Sequence, residues 1–185
     1  MTSTIIMKRP ALSIKKQFLA IILGCAFAVV LPQFFHLIGK LTGTGSQLAA
    51  LFSPMHFPVI LVGLIGGPFV GAVSGFLAPI VNFMLTGMPV ASKLPLMVIE
   101  VFGYGLCAGI LRNFTVNNFV KVFITMIFGR LLRFLAVVFL VAAFKEKMDI
   151  FSIWLSIPRC WPGILLQMIL IPLMVYKFDS NSEIK

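Results

Sequence analysis

Long apolar runs, each ended by charged residues, glycine or proline, follow one another along this 185-residue chain. A helix that crosses a bilayer needs about 20 mainly apolar residues. The breaks in the pattern predict six such spans, near 17–38, 56–67, 69–86, 94–111, 119–143 and 153–176. We therefore predict an all-α, polytopic membrane protein in which 1–185 forms one six-helix transmembrane bundle.

The connections between the predicted spans are short except for the first. Residues 39–55 form a long polar loop, whereas spans two and three are joined only by the sequence GGP at 66–68. At the chain ends, 1–16 is predicted to be an N-terminal segment and 178–185 a frayed polar tail.

Lysine and arginine are distributed unequally between the two predicted faces of the bundle, and cytoplasmic loops carry the excess of these residues. With the N-terminus inside, the cytoplasmic face holds Lys8, Arg9, Lys15, Lys16, Arg112, Lys121, Lys177 and Lys185. The outer face holds Lys40, Lys93, Lys145, Lys147 and Arg159. Eight cations against five favour a cytoplasmic N-terminus and C-terminus, and make 39–55 an outer loop.

Composition excludes a water-soluble protein, because 60% of the residues are apolar, 11% are charged and the mean hydropathy is +1.09. A net charge of +10 would suit nucleic acid, but the cations cluster at the ends of apolar runs, as membrane orientation requires. We therefore expect a lipid bilayer and no nucleic-acid partner. Cys25, Cys107 and Cys160 lie in or beside apolar runs without metal-type spacing, so we interpret them as reduced core residues.

The first apolar run has two interpretations. Four cations precede it, ILGC at 22–25 resembles a lipoprotein box, and AFA at 26–28 resembles a signal-peptidase site. Because the rest of the chain is itself membrane-embedded, we interpret the run as a first transmembrane helix that the protein retains.

Ala20, Gly24 and Ala28 lie at positions i, i+4 and i+8 of span one. Small residues at this spacing flatten one helix face and let another backbone approach closely. The strip is interpreted either as a docking surface for a partner protein or as a contact with the chain's own helices.

Spans two and three are rich in glycine and proline. These residues are Gly63, Gly66, Gly67, Gly71, Gly75 and Pro79, followed by TGMP at 86–89. Irregular backbone at membrane depth occurs where it lines a cavity or is covered by protein. We predict broken, closely packed helices around a pocket, and tight packing without a ligand remains the alternative.

Four polar side chains fall inside predicted spans, where they are costly and face the bundle interior: Asn82, Glu100, Arg130 and Arg133. At a rise of 1.5 Å per residue, Glu100 lies roughly 9 Å and Arg133 roughly 15 Å below the outer face, so the two can pair. Arg130 shares the helix face of Arg133, so one carboxylate confronts two guanidinium groups. The surplus cation is interpreted as a site for an anionic ligand or as part of a structural network.

His36 ends span one and His56 begins span two, with Met55 beside it. These side chains can ligate a metal or the iron or cobalt of a cofactor, or they can form ordinary hydrogen bonds at a gate. No resident metal or cofactor is predicted.

Three stretches together resemble the substrate-binding S components of energy-coupling factor (ECF) vitamin transporters. They are SPMHFPVILVGLIGGPFVGAVSGFLAPIVNFMLTGMP at 53–89, LPLMVIEVFGYGLCAGIL at 94–111, and the small-residue strip of span one. The resemblance covers most of the chain, and its core is Gly67, Pro68 and Gly71. Ala20, Gly24 and Ala28 match the family's AxxxA-type docking motif except that the middle residue is glycine.

The resemblance implies a six-helix bundle that binds one vitamin-like molecule near its outer half, under a gating loop at 39–55. It also implies assembly with a transmembrane coupling (T) protein and two cytoplasmic ABC ATPases in a bacterial cell membrane. The sequence has no phosphate-binding loop of the GxxxxGK[ST] type, so ATP hydrolysis is assigned to those partners and not to this chain.

Substrate identity remains open between two classes of vitamin. The candidate substrate-binding residues are His36, Met55, His56, Asn82, Glu100, Arg130 and Arg133. Small residues in spans two and three, with the two histidines and Met55, favour a cobalamin-like corrinoid. The surplus arginine instead favours a small carboxylate such as pantothenate.

Two other classes of protein are compatible with parts of the sequence. The sequence GAVSG at 71–75 places Ser74 beside glycine in a span, as in an intramembrane serine protease with His56 as the base. Rhomboid-type proteases, which it would resemble, carry their histidine after the serine, whereas both histidines here precede Ser74. The third hypothesis is a structural membrane subunit.

Overall fold

A computed structural model describes residues 12–45, 47–144, 158 and 160–183 of the chain. Its α-helices are α1 (Ile14–Leu41), α2 (Gln47–Phe52), α3 (His56–Gly66), α4 (Pro68–Thr86), α5 (Leu94–Leu111), α6 (Asn118–Phe144) and α7 (Trp161–Glu183). One turn of 3-10 helix, Ala91–Lys93, precedes α5. The described residues contain no strand, so the predicted all-α class is confirmed.

Six stretches are long and apolar enough to cross a membrane: Ile14–Leu41, Gln47–Gly66, Pro68–Thr86, Ala91–Leu111, Asn118–Ala143 and Trp161–Asp179. The predicted number of spans is therefore confirmed. Helices α3, α4 and α5 begin and end within one residue of their predicted bounds. This agreement reflects strong local signals, because glycine or proline lies near most of these ends and the charged Arg112 follows the end of α5.

The second span differs from its prediction. Helix α2 lies inside the predicted outer loop 39–55 and joins α3 to form a 20-residue candidate span, Gln47–Gly66. The helical break that SPM at 53–55 suggests is present, with Ser53 at a positive φ of 43°, and the feature that was not predicted is the short helix α2 before it. In the sixth span, predicted residues 153–157 lie outside the described part, and α7 continues past 176 to Glu183.

The turn between α3 and α4 is encoded by its three residues. Gly67 has a φ of 95°, which is favourable for glycine and strained for other residues. Pro68 then occupies the first turn of α4, where its missing N–H leaves no intrahelical hydrogen bond unmade. The chain reverses here without a loop, which brings α3 and α4 side by side.

Helix α5 is the centre of the bundle, and half of its span is buried, the largest share among the six. Its neighbours are α3, α4 and α6. The core joins Ile60 and Leu64 of α3, Tyr104 of α5, Val122 of α6 and Ile171 of α7. At the periphery, α1 exposes a row of large apolar side chains, including Phe18, Phe27 and Val30, as a lipid-facing helix does.

The glycines of α4 and α5 lie at a backbone-to-backbone crossing. A Cβ built on Gly71 would collide with the carbonyl oxygen of Gly105, and a Cβ on Gly105 would collide with that of Gly71. Gly75 likewise lies against the carbonyl oxygen of Val101. These glycines permit the closest helix contact in the core, as small residues do in membrane bundles.

The small-residue strip of α1 also packs inside the chain. Gly24 is buried against the side chain of Val62 of α3, and Ala28 is fully buried among residues of α3, α4 and α5. Ala20 is half-buried. This observation supports the interpretation of Gly24 and Ala28 as an internal contact, while docking through the strip stays a prediction.

Candidate functional site

A cleft of about 370 Å³ opens at one end of the bundle. Its walls come from the C-terminal ends of α1 and α4, the N-terminal ends of α3 and α5, and Arg133 of α6. Residues of α2 and of the α4–α5 connection complete the rim. By the charge distribution, this is the end predicted to face outwards.

An ion pair lies at the cleft between α5 and α6. Arg133 Nη1 donates to Glu100 Oε2 at 2.7 Å, and the Tyr104 hydroxyl donates to Glu100 Oε1 at 2.9 Å. The Glu100 side chain is only 6% exposed, whereas the Arg133 side chain is 33% exposed. Both side chains line the cleft, and that of Arg133 is the more exposed of the two.

Arg130 joins this cluster through Tyr104. It lines a second, smaller cavity, which also borders Tyr104 and His56, and it does not line the cleft. Its guanidinium group donates to the Tyr104 hydroxyl, which in turn donates to Glu100. The ion pair itself joins Glu100 to Arg133, and a role of Arg130 in ligand binding stays a prediction.

The two histidines and Met55 converge on the cleft, as all three line it. The His56 ring also packs against Tyr104, with 4.8 Å between ring centroids. Among the described residues, no group of three His, Cys, Asp or Glu side chains is arranged to hold a metal ion.

Asn82 fixes the rim of the cleft. Its Nδ2 donates to the carbonyl oxygen of Met88 at 2.8 Å, which ties the end of α4 to the connection that follows. Met88 and Pro89, joined by a cis peptide bond, line the cleft beside Asn82. The Asn82 Oδ1 atom is buried and has no partner among the described residues.

The cover segment, residues 47–55, comprises α2 and the three residues after it. Ala49, Ala50, Ser53, Pro54 and Met55 of this segment line the cleft. Phe52 stacks on Phe35 of α1, with 4.8 Å between ring centroids. Backbone atoms of Phe52 also lie against Gly163 of α7, so the segment is held from both sides.

Further contacts tie the cover segment to α7. Gln167 Nε2 donates to the carbonyl oxygens of Phe52 at 3.2 Å and Ser53 at 3.4 Å. Cys160 Sγ lies 3.2 Å from the carbonyl oxygen of Ala50. Gln167 and Gly163 were not predicted as site residues, because they act on the cover segment from a helix distant in sequence.

Two further residues of the site were not predicted from the sequence. Lys93 lines the cleft, whereas the sequence predicts only that it is a cation in an outer loop. Tyr104 follows Glu100 by four residues, the spacing that places two side chains on one helix face. That spacing was a usable signal for Tyr104, whereas Lys93 had none beyond its position before α5.

The glycine-rich region does not form the cleft. Of the positions that predicted a pocket, Met88 and Pro89 of the TGMP sequence line it, whereas Gly63, Gly66, Gly67, Gly71 and Gly75 do not. Those glycines instead allow contacts between helices. The alternative of tight packing therefore describes the glycines, and the pocket lies nearer those ends of the same helices that are predicted to face outwards.

Ser74 is fully buried at the interface of α1 and α4, beside Gly24. Its hydroxyl has no hydrogen-bond partner among the described residues, and it lines neither cavity, whereas His56 lines both. A serine nucleophile needs a base within hydrogen-bond reach and space for a substrate. This geometry contradicts the protease hypothesis.

Comparison with known proteins gives one match. The family model of the substrate-specific component of ECF transporters covers residues 17–175. No curated protein and no solved structure matches the chain.

Proposed function

Since the chain belongs to the family of ECF transporter substrate-specific components, we propose that it captures one micronutrient in the outer cleft. It is a multi-pass membrane protein with six spans, and its family role is substrate binding, not catalysis. We place its N- and C-termini on the cytoplasmic side of a bacterial cell membrane. In that orientation the cleft faces the outside, where the micronutrient is found.

The observation that carries the proposal is Arg133 at the cleft wall, paired with the buried Glu100. A charged group inside a membrane bundle is costly and by default marks a functional site. Because Lys93 adds a second cation at the rim, the cleft offers two positive charges against one carboxylate. We infer that its ligand carries a negative group, and that this group binds to the exposed side of the Arg133 guanidinium.

Cleft size supports a small ligand. Small-molecule sites typically measure about 300–1,000 Å³, and the present cleft of about 370 Å³ lies at the lower end of that range. A compact carboxylate vitamin of the pantothenate type fits this volume better than a corrinoid does. Size and charge thus point to the same class of substrate.

A corrinoid of the cobalamin type is the second candidate. It is favoured by the convergence of His36, Met55 and His56 on the cleft, since imidazole and thioether groups suit a metal-centred macrocycle. Such a ligand requires the cover segment to move outwards, because the cleft in its present form is too small to enclose a macrocycle. We therefore rank it below the carboxylate.

Transport requires partners, because the sequence has no phosphate-binding loop. Membership of the family implies association with a T component and ATPases in a transporter complex. We propose that two ABC ATPases supply the energy, and that the T protein docks on α1 near Ala20.

The test is identification of the natural ligand. The protein is purified in mild detergent from cells grown in rich medium, and small molecules released by denaturation are identified by mass spectrometry. Calorimetric titration of ligand-free protein with pantothenate and with cobalamin follows. We expect an acidic small molecule and no corrinoid, and tight binding of cobalamin alone would contradict the carboxylate assignment.

A further inference from the structure

A second cavity lies behind the cleft, deeper in the bundle. It measures about 10 Å³, and its walls combine apolar side chains with several polar ones. The lining residues are Ser53, His56, Ile60, Tyr104, Met126, Arg130, Ile164 and Gln167. Ser53 and His56 line both the cavity and the cleft, so they form the partition between the two.

Gln167 leaves an unmet hydrogen bond at this cavity. The residue is only 3% exposed, and its Nε2 donates to two carbonyl oxygens of the cover segment. Its Oε1 is buried and has no partner among the described residues. A buried acceptor of this kind is normally satisfied by protein or by ordered water.

The hydroxyl groups around the cavity are already engaged. Ser53 Oγ lies 3.4 Å from Ala50 O and 3.7 Å from Cys160 Sγ, and the Tyr104 hydroxyl donates to Glu100. Arg130 donates to the Tyr104 hydroxyl and carries further N–H groups but no acceptor. The cavity therefore presents a buried acceptor that lacks a donor, beside a cation that has several N–H donors.

A water molecule suits these surroundings, since it can donate to Gln167 Oε1 and accept from Arg130. A chloride ion would accept from Arg130 but would repel the Gln167 Oε1 atom, and a cation would be repelled by Arg130. The volume is close to the smallest space that holds one water, about 10–15 Å³.

We propose that one internal water occupies this cavity, donating to Gln167 Oε1 and accepting from Arg130. It bridges α7 and α6 directly beneath the cover segment. By fixing the orientation of the Gln167 amide, the water also helps to hold the Phe52 and Ser53 carbonyls in place. This inference does not depend on the identity of the substrate.

The first test is a crystal structure of the full chain in lipid at a resolution that shows ordered water, with a parallel crystal soaked in bromide. We expect a density peak within hydrogen-bond distance of Gln167 Oε1 and Arg130, and no anomalous bromine signal there. A dry cavity would overturn the proposal. An anomalous peak would overturn it as well, because it would identify an anion.

The second test compares Gln167→Met with Thr125→Val. Thr125 is also a fully buried polar residue, but it lines neither cavity, so it controls for loss of a buried polar group. We expect the water peak to vanish in Gln167→Met and to persist in Thr125→Val. Persistence of the peak in both variants would show that Gln167 does not hold the water.

Discussion

At the scale of single residues, Glu100 is the carboxylate on which the charges of the cleft depend. It accepts from Arg133 and from Tyr104 inside the bundle. We predict that Glu100→Gln lowers the free energy of unfolding by about 3–5 kcal/mol, because it leaves a cation without its partner. Thermal and denaturant unfolding in detergent measure the loss. Tyr104→Phe, which removes hydrogen bonds but no charge, is the control and should cost less.

Arg133→Gln should affect ligand binding more than folding. The exposed side of the guanidinium is proposed to bind the ligand, and hydrogen bonds to charged groups contribute about 1.5–3 kcal/mol. We therefore expect the dissociation constant of the acidic ligand to rise about tenfold to a hundredfold. Lys40→Gln, an exposed cation at the same end of the bundle that does not line the cleft, is the control. If Arg133→Gln binds the acidic ligand with unchanged affinity, the ion pair between Arg133 and Glu100 has only a structural role.

At this scale the sequence predicted much of the site. Glu100 and Arg133 were predicted because charged residues are rare inside apolar runs. Of the seven candidate substrate-binding residues, six line the cleft. The seventh, Arg130, lines the second cavity instead and contacts Glu100 only through Tyr104, because sharing a helix face does not determine depth. Lys93 could not be found, since its side-chain direction depends on the turn before α5. Whether the lining residues bind substrate stays a prediction.

At the scale of helices, the α4–α5 crossing sets the sharpest steric limit. We predict that Gly71→Ala costs about 1–3 kcal/mol, because its Cβ meets backbone of α5 that no rotamer change can move. Gly24→Ala is the matched comparison, since its Cβ would meet a side chain, Val62, at 3.0 Å. At Gly24 the helix preference for alanine over glycine, about 1 kcal/mol, offsets the cost of a small shift of the Val62 side chain, so we expect little loss of stability. Equal unfolding energies for the two variants would contradict the role assigned to the crossing.

Docking on α1 is best tested at Ala20, the half-buried member of the strip. A bulky residue at Gly24 would disturb the chain's own contact with α3 and so would not separate docking from folding. We expect Ala20→Leu to bind ligand normally and to lose copurification of the T protein, measured by pull-down from membranes. Ala26→Leu, at an exposed position of the same helix outside the strip, should retain the T protein.

Helix bounds were predictable where the chain carries strong local signals. Gly67 and Pro68 between α3 and α4 require a turn, and Pro95 stands in the first turn of α5. Helix α2 was missed because its six residues are too few to show a period, and because its position is set by Phe35 and Gly163. Contacts distant in sequence leave no local pattern.

At the scale of the whole molecule, the cover segment and α7 act together at the cleft. A Cβ on Gly163 would lie 2.5 Å from the Phe52 carbonyl oxygen, so Gly163→Ala must displace α2. We predict faster ligand dissociation in this variant, because α2 forms part of the cleft wall. Stopped-flow displacement measures the rate, and the melting temperature of the ligand-free variant serves as its internal control. An unchanged rate would show that α2 does not retain the ligand.

The overall architecture followed from hydropathy, since six apolar stretches in one small chain leave few arrangements other than a single bundle. Hydropathy did not predict which helices contact one another. Glycine spacing predicted that α4 makes a close contact, but the partner, α5, is identified only by the crossing of Gly71 with Gly105. Spacing on one helix carries no information about which neighbour it meets.

The anchors of the cover segment have a consequence for biogenesis. Gln167 follows Phe52 and Ser53 by 115 and 114 residues, respectively, along the chain. During synthesis, therefore, α1 to α6 leave the ribosome before the helix that secures the segment. A nascent or truncated chain has most of the cleft wall, but its cover keeps only the contact with Phe35 of α1. We therefore predict that firm retention of a micronutrient is acquired only with the last helix.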